Sequence, residues 1–153
     1  MQIGTRLAAI ATAVTMICWS AYCQTSVTRT ERELFASVNQ ARRAQGLPPL
    51  RWDESLATAA RRHAAIMAER GTAQHGFEGE PSLSARVKQA GVHFSWLSEN
   101  VCEGPTPGLI HAQFMKSPAH RANLLDRDMD SIGIGVADHD GQLYAVEDFS
   151  QAR

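Results

Sequence analysis

An α+β domain, with helices flanking a small antiparallel sheet, is what this sequence predicts, and three observations predict it. Apolar residues in the N-terminal half recur at helical spacing. Near the C-terminus two runs, Ile132 to Ala137 and Leu143 to Phe149, alternate as strands and are joined through Asp138-His139-Asp140-Gly141. Asp-Gly between alternating runs is a hairpin signal. Between these halves lie Gly- and Pro-punctuated segments with no internal repeat and no low-complexity tract.

The elements follow in order. Residues 1–23 read as a signal peptide: Arg6 supplies the positive start, Leu7 to Trp19 is mostly apolar, and Ala21-Tyr22-Cys23 offers small residues for cleavage. That apolar run is shorter than the roughly 20 residues a bilayer-crossing helix needs. Residues 24–30 form a short polar leader, and the folded domain is expected over 31–150. Thr30-Glu31-Arg32-Glu33 fits a capping box, after which Leu34, Val38 and Ala41 recur up to Gly46.

Pro48-Pro49 breaks the chain, and Leu50-Arg51-Trp52 leads into Asp53, a good N-cap. Leu56, Ala60, His63, Ala64 and Met67 trace the stripe of a second helix that Gly71 ends. Residues 72–81 make a Gly-rich loop carrying His75, and Ser82 to Gln89 is a third, shorter helix stopped by Gly91. Ser95 to Val101 reads as a strand or an extended arm. Gly104-Pro105-Thr106-Pro107 turns into a helical stretch, Leu109 to Lys116, and Ser117-Pro118 has the N-cap and N1 residues of a fresh short helix. Gly133 and Gly135 imply close backbone packing in their strand.

Composition narrows the function. Cleavage after Cys23 removes one of the 15 basic residues, Arg6, and none of the 16 acidic, a mature balance of −2. No basic block or aromatic-basic interleaving is present, which excludes nucleic acid as the expected partner. No polybasic amphipathic helix points to a membrane surface. Cys18 and Cys23 lie in or beside the signal, leaving Cys102 as the lone mature thiol. Lipid anchoring at Cys23 is disfavoured by the bulky Tyr22 before it. An exported, secreted or periplasmic protein without an essential disulfide is expected; about 130 residues bury a core without such staples.

Three residues carry the chemistry: His75, Glu99 and His120. With Ser117 as N-cap, His120 occupies N3, where the helix dipole disfavours imidazolium. A neutral imidazole is what a divalent ion or an incoming proton needs. His75, in its loop, is free to swing opposite, and Glu99 either supplies an oxygen ligand or orients one ring. Two His and one carboxylate with an open position suit Zn²⁺ or another divalent cation. The spacings, 24 and then 21 residues, match no compact metal motif, and HExxH is absent.

The remaining candidates read as structural. His63 lies on an apolar stripe, as a hydrogen-bonded core histidine; His111 is ambiguous; His93 and His139 are loop or strand-edge residues. Arg121 and Asn123 tie the short helix to its neighbours, and Asn100 bonds backbone. Trp52 and Trp96 are core fillers, with ligand stacking as the alternative for Trp96. Glu103 is a surface carboxylate. No G-x-S-x-G elbow is present, and nothing flanking Cys102 matches a cysteine hydrolase, so its thiol is expected buried and inert.

The four phrases Gln74-His75-Gly76, Glu99-Asn100-Val101, Ser117-Pro118-Ala119-His120-Arg121-Ala122-Asn123-Leu124-Leu125 and Ile132-Gly133-Ile134-Gly135-Val136 occur in this order within one small domain. Together they resemble the CAP superfamily of cysteine-rich secretory, antigen-5 and plant pathogenesis-related proteins, and within it the short bacterial members. The resemblance implies an α-β-α sandwich over 31–150 and a cleft built from two His and acidic residues, onto which His75, Glu99 and His120 fall. The usual cleft carries a second Glu on the helix before the second His; here the matching position reads Ser117. The disulfides of the larger eukaryotic members are missing.

Three functions follow as expectations. The first is a binding module whose cleft takes a divalent ion and an extracellular ligand: a peptide, a lipid or a cell-wall fragment. The second is a metal-assisted hydrolase of peptide or envelope polymer with Glu99 as general base. The third is a structural or host-interaction protein with a vestigial cleft. Fold alone does not choose among them.

Overall fold

The structure is a computed structural model that describes residues 27–152. The expected signal peptide, and residues 24–26 of the leader, lie outside the described residues. The elements run α1 (Arg29–Ala44), β1 (Arg51–Trp52), α2 (Glu54–Arg70), α3 (Leu83–Gln89), β2 (Phe94–Gly104), α4 (Pro107–Lys116), α5 (Pro118–Leu124), β3 (Ser131–His139) and β4 (Gln142–Ala152). The four strands stand in the order β1-β3-β4-β2. Both β2 and β3 pair antiparallel with β4, whereas the two-residue β1 pairs parallel with β3. The predicted α+β class therefore holds, with one short parallel pair added at the edge.

Local signals explain most boundaries. Asp53 caps α2 by accepting from the Ser55 and Leu56 amides, and Gly71 closes it with φ 66°, a left-handed conformation glycine adopts without strain. The capping box of α1 is displaced from the sequence reading. Thr28, not Thr30, is the N-cap, with Glu31 returning to the Thr28 amide. Helix α4 begins at Pro107, two residues before the expected start, because Thr106 caps it by accepting from the Leu109 amide. Strand β2 is longer than the Ser95–Val101 arm, since every residue from Phe94 to Gly104 except Ser95, at a bulge, finds a partner on β4.

Strand alternation sorts the side chains into two cores. On one side Ile132 and Ile134 of β3, and Ala145 and Phe149 of β4, meet Leu34 and Val38 of α1, Ile110 and Phe114 of α4, and Leu124 of α5. On the other, Val101, Tyr144 and Val146 pack on Ala60, Ala64 and Met67 of α2. Fully burying each large apolar side chain contributes about 1.5–3 kcal/mol. Helix α2 lies so close to β3 that a Cβ on Gly133 would meet the Ala57 nitrogen at 2.1 Å, and one on Gly135 the Arg61 nitrogen at 2.2 Å. The paired glycines are thus required by the approach of two backbones. Trp96 corrects a further expectation: it is 62% exposed on the edge strand and fills no core.

Candidate functional site

The site forms where strand β2, at one edge of the sheet, meets the loop after α2 and the short helix α5. Its first component is Glu99 on β2, buried and directed to the α2–α3 side of the sheet. Glu99 Oε1 accepts from His75 Nδ1 at 2.9 Å. Its second oxygen pairs with the Arg86 guanidinium of α3. A carboxylate engaged at both oxygens holds its partners in fixed directions.

His75 sits in the segment between α2 and α3, which has no ladder of its own. Its backbone is held by side chains instead. Within this segment the Ala73 amide donates to Glu103 at 3.1 Å, and His63 Nε2 donates to the Gln74 carbonyl at 2.8 Å. His63 Nδ1 lies 2.7 Å from Glu80 Oε1, and the other Glu80 oxygen accepts from the Phe77 amide at 3.3 Å. Arg86 Nη1 donates to the His75 carbonyl at 3.3 Å. The His75 side chain itself is 64% exposed, so it opens onto the surface.

His120 arrives from the opposite side of the sheet. Pro118 occupies the first turn of α5, as the sequence predicted, although Ser117 makes no side-chain cap bond. Asn100, next to Glu99 on β2 but facing the other way, donates to the His120 carbonyl at 3.1 Å. Asn123 donates to Asn100 Oδ1 at 2.9 Å and to the Glu99 carbonyl at 3.3 Å. These bonds clasp α5 to β2, and the His120 ring stands edge-on to Phe114, centroids 5.3 Å apart. Burial lowers the pKa of His120, and the positive charge of His75 lowers it further. The ring therefore stays neutral to lower pH than a free histidine, the direction expected from its place in the first turn.

Two buried acids on β4 belong to the same region. Asp148 is opposite Glu99 in register and Glu147 opposite Asn100, one on each face of the sheet. Glu147 is fully buried; it accepts from Asn100 Nδ2 at 3.2 Å through one oxygen, while the other has no partner among the described residues. Burial pushes its pKa up to about 8. Neither Asp148 oxygen has a hydrogen-bond partner among the described residues, and burial, aided by the nearby Glu99 charge, pushes its pKa well up.

The sequence named His75, Glu99 and His120. The structure pairs His75 with Glu99 directly and brings His120 within electrostatic range of His75. Among the described residues no group of three or more His, Cys, Asp or Glu is arranged to hold a metal ion. His63 is the hydrogen-bonded core histidine expected, and Asn123 the expected tie. Arg121 is exposed, with no side-chain hydrogen bond among the described residues. The Cys102 thiol is half-buried, not buried; it lies 3.3 Å from Gln113 Oε1, and burial raises its pKa. Glu103 is a loop anchor and not a free surface carboxylate. Arg86, Glu80, Glu147 and Asp148 escaped the sequence reading. The adjacent acids Glu147-Asp148 inside an apolar strand run were the one available signal, because alternation forces one carboxyl onto each buried face.

A three-layer α-β-α domain with a His–Glu pair and a second histidine at the edge of its sheet is the class of protein defined here. The chain belongs to the CAP family: the profile of the Cysteine-rich secretory protein family matches residues 35–149. YkwD of Bacillus subtilis is 30% identical over 114 residues, which are 74% of this chain and 44% of that protein. An extracellular SCP-domain protein of Bacillus anthracis superposes with TM-score 0.72 at 26% identity, over 80% of this chain and 40% of the other. This chain thus spans less than half the length of both. An outer surface protein of Borrelia burgdorferi shares the fold, with TM-score 0.76 and 21% identity over 84% and 96% of the two chains. No helix among the described residues is long and apolar enough to cross a membrane.

Proposed function

We propose that this domain is an exported binding module whose cleft uses the His75 and His120 rings to take a divalent transition-metal ion and, with it, an oxygen-bearing extracellular ligand from a peptide, a lipid or a cell wall. The observation that carries this reading is the fixed His75 ring: Nδ1 is committed to Glu99, which leaves Nε2 as the free nitrogen on an exposed side chain. A metal-bound histidine characteristically donates its other N–H to a carboxylate. Glu99 in this reading orients the ring and does not itself ligate, since its second oxygen is held by Arg86.

The donor set fits an ion in part. Two imidazole nitrogens match the softness of zinc, and His120 is kept neutral by burial, but a closed structural site would need four ligands. Two positions are left for solvent or ligand, which suits capture better than permanent binding. When bound, the ion would supply a Lewis acid for a ligand oxygen. The hydrolytic alternative asks Glu99 to serve as a general base. Its burial and two existing partners leave no oxygen for a substrate water, so binding is favoured over turnover. A protein of the same fold, NaASP2, was crystallised with Zn²⁺; at 10% identity and TM-score 0.62 that match is one of fold.

Calorimetric titration of the purified protein with Zn²⁺, beside a His75→Ala/His120→Ala double variant, tests the proposal. Stoichiometric binding in the parent that disappears in the variant is expected. Equal binding, or none in either, removes the metal cleft and leaves the vestigial reading.

A further inference from the structure

The geometry points to Arg86 as the positioning residue of this cleft, the group that sets which nitrogen of His75 faces outward. Its side chain is only 6% exposed, on a helix of seven residues that otherwise contributes Val87 to the core. One guanidinium makes contacts on two segments, the α2–α3 loop and β2. Nη1 donates to the His75 carbonyl at 3.3 Å and to the Pro81 carbonyl at 3.4 Å, and stands 3.5 Å from Glu80 Oε1. Nη2 pairs with Glu99. Arg86 therefore grips His75 twice, directly at the backbone and through Glu99 at the ring.

The chemical consequence lies in the tautomer. With Arg86 on one Glu99 oxygen, the other oxygen points at His75 Nδ1 as an acceptor. An acceptor there requires the proton on Nδ1 and leaves the lone pair on Nε2. Besides the His75 ring, Arg86 is the only cationic side chain within ion-pair distance of Glu99 among the described residues. Its flat fork reaches two segments at once, which the single point charge of a lysine does not reproduce. Across the sheet register stands Asp148, a second buried carboxyl that offers Glu99 no compensating cation. Without Arg86, the His75 carbonyl loses its side-chain donor and the carboxylate that reads Nδ1 loses the partner that fixes its second oxygen.

This assignment deepens the cleft reading and depends on it only where metal affinity is concerned. The test is nitrogen-15 spectroscopy of the histidine rings in the full-chain, metal-free protein, for the parent, Arg86→Lys and Arg86→Gln. The parent should show His75 as the Nδ1–H tautomer. Both variants should show tautomers in exchange, with Zn²⁺ affinity down about 10- to 100-fold, the usual effect of removing such a supporting partner. Arg42→Lys, which alters a buried arginine remote from His75, should weaken the fold and leave the His75 spectrum as it was. A His75 spectrum unchanged in a folded Arg86 variant overturns the assignment. Should neither variant fold, the parent still decides: separate, slowly exchanging Nη protons on Arg86 support it, and averaged ones overturn it. Tautomer loss in the variants of a parent that binds no Zn²⁺ would sink the metal cleft and uphold Arg86.

Discussion

Replacing Glu147 by Gln should reverse its effect on stability across a narrow pH range. Folding raises the pKa of this carboxyl from about 4.5 to about 8, because burial removes water and only Asn100 Nδ2 stands in its place. Below the unfolded value both states are protonated and the group has no effect. Between the two values the unfolded chain ionises while the native carboxyl keeps its proton, so stability falls by roughly 1.4 kcal/mol per pH unit. At pH 7 the loss is about 3 kcal/mol relative to pH 4; at pH 5 it is under about 1. Glutamine cannot ionise, and its carbonyl still accepts from Asn100. The native acid already leaves its Oε1 side unpaired; the amide places two N–H donors there instead of one O–H, and the extra unpaired donor costs about 1–3 kcal/mol. Glu147→Gln should therefore be less stable than the parent at pH 5 and more stable at pH 8. Urea unfolding at half-unit steps between these limits measures the difference. Asp148 titrates in both proteins and cancels from it. A difference that stays constant across the range would show that Glu147 does not hold a proton in the native state.

Other consequences are checked more simply. Gly135→Ala places a Cβ about 2.2 Å from the Arg61 nitrogen, so α2 and β3 must part; a thermal melt should report a loss of about 1–3 kcal/mol or more. Arg42 is buried and donates to the carbonyls of Pro48, Leu124, Asp126 and Met129, tying α1 to the segment after α5. Arg42→Met should cost about 3 kcal/mol in chemical denaturation, from several orphaned acceptors at once. In proton spectra His120 should titrate below the usual histidine range, and His75→Ala should move it back up part of the way. Burial, the larger cause, persists in that variant, and a midpoint that ignores His75 would place the rings beyond each other's field.

Much of this domain was legible in the chain because its signals are local. Asp53 and Gly71 bound α2, Ser117-Pro118 opens α5, and Asp140-Gly141 turns β3 into β4, each through backbone preferences that act within a few residues. Periodicity marked the faces that become the cores, and Gly133 and Gly135 announced close backbone packing without saying that a helix, α2, would supply it. His75, Glu99 and His120 were recognisable by phrase. What tertiary structure alone decided is who meets whom across distances that no local preference spans. The loop bearing His75 has no ladder, so its shape is set by Glu80 within it and by His63, Arg86 and Glu103 from three other parts of the chain. Glu99 became an orienting group because Arg86 reached its second oxygen. Glu147 and Asp148 became buried acids because β4 lies inside the sheet, between β2 and β3, with helices over both faces. Propensity is a property of neighbours in sequence, whereas desolvation and charge pairing belong to neighbours in space.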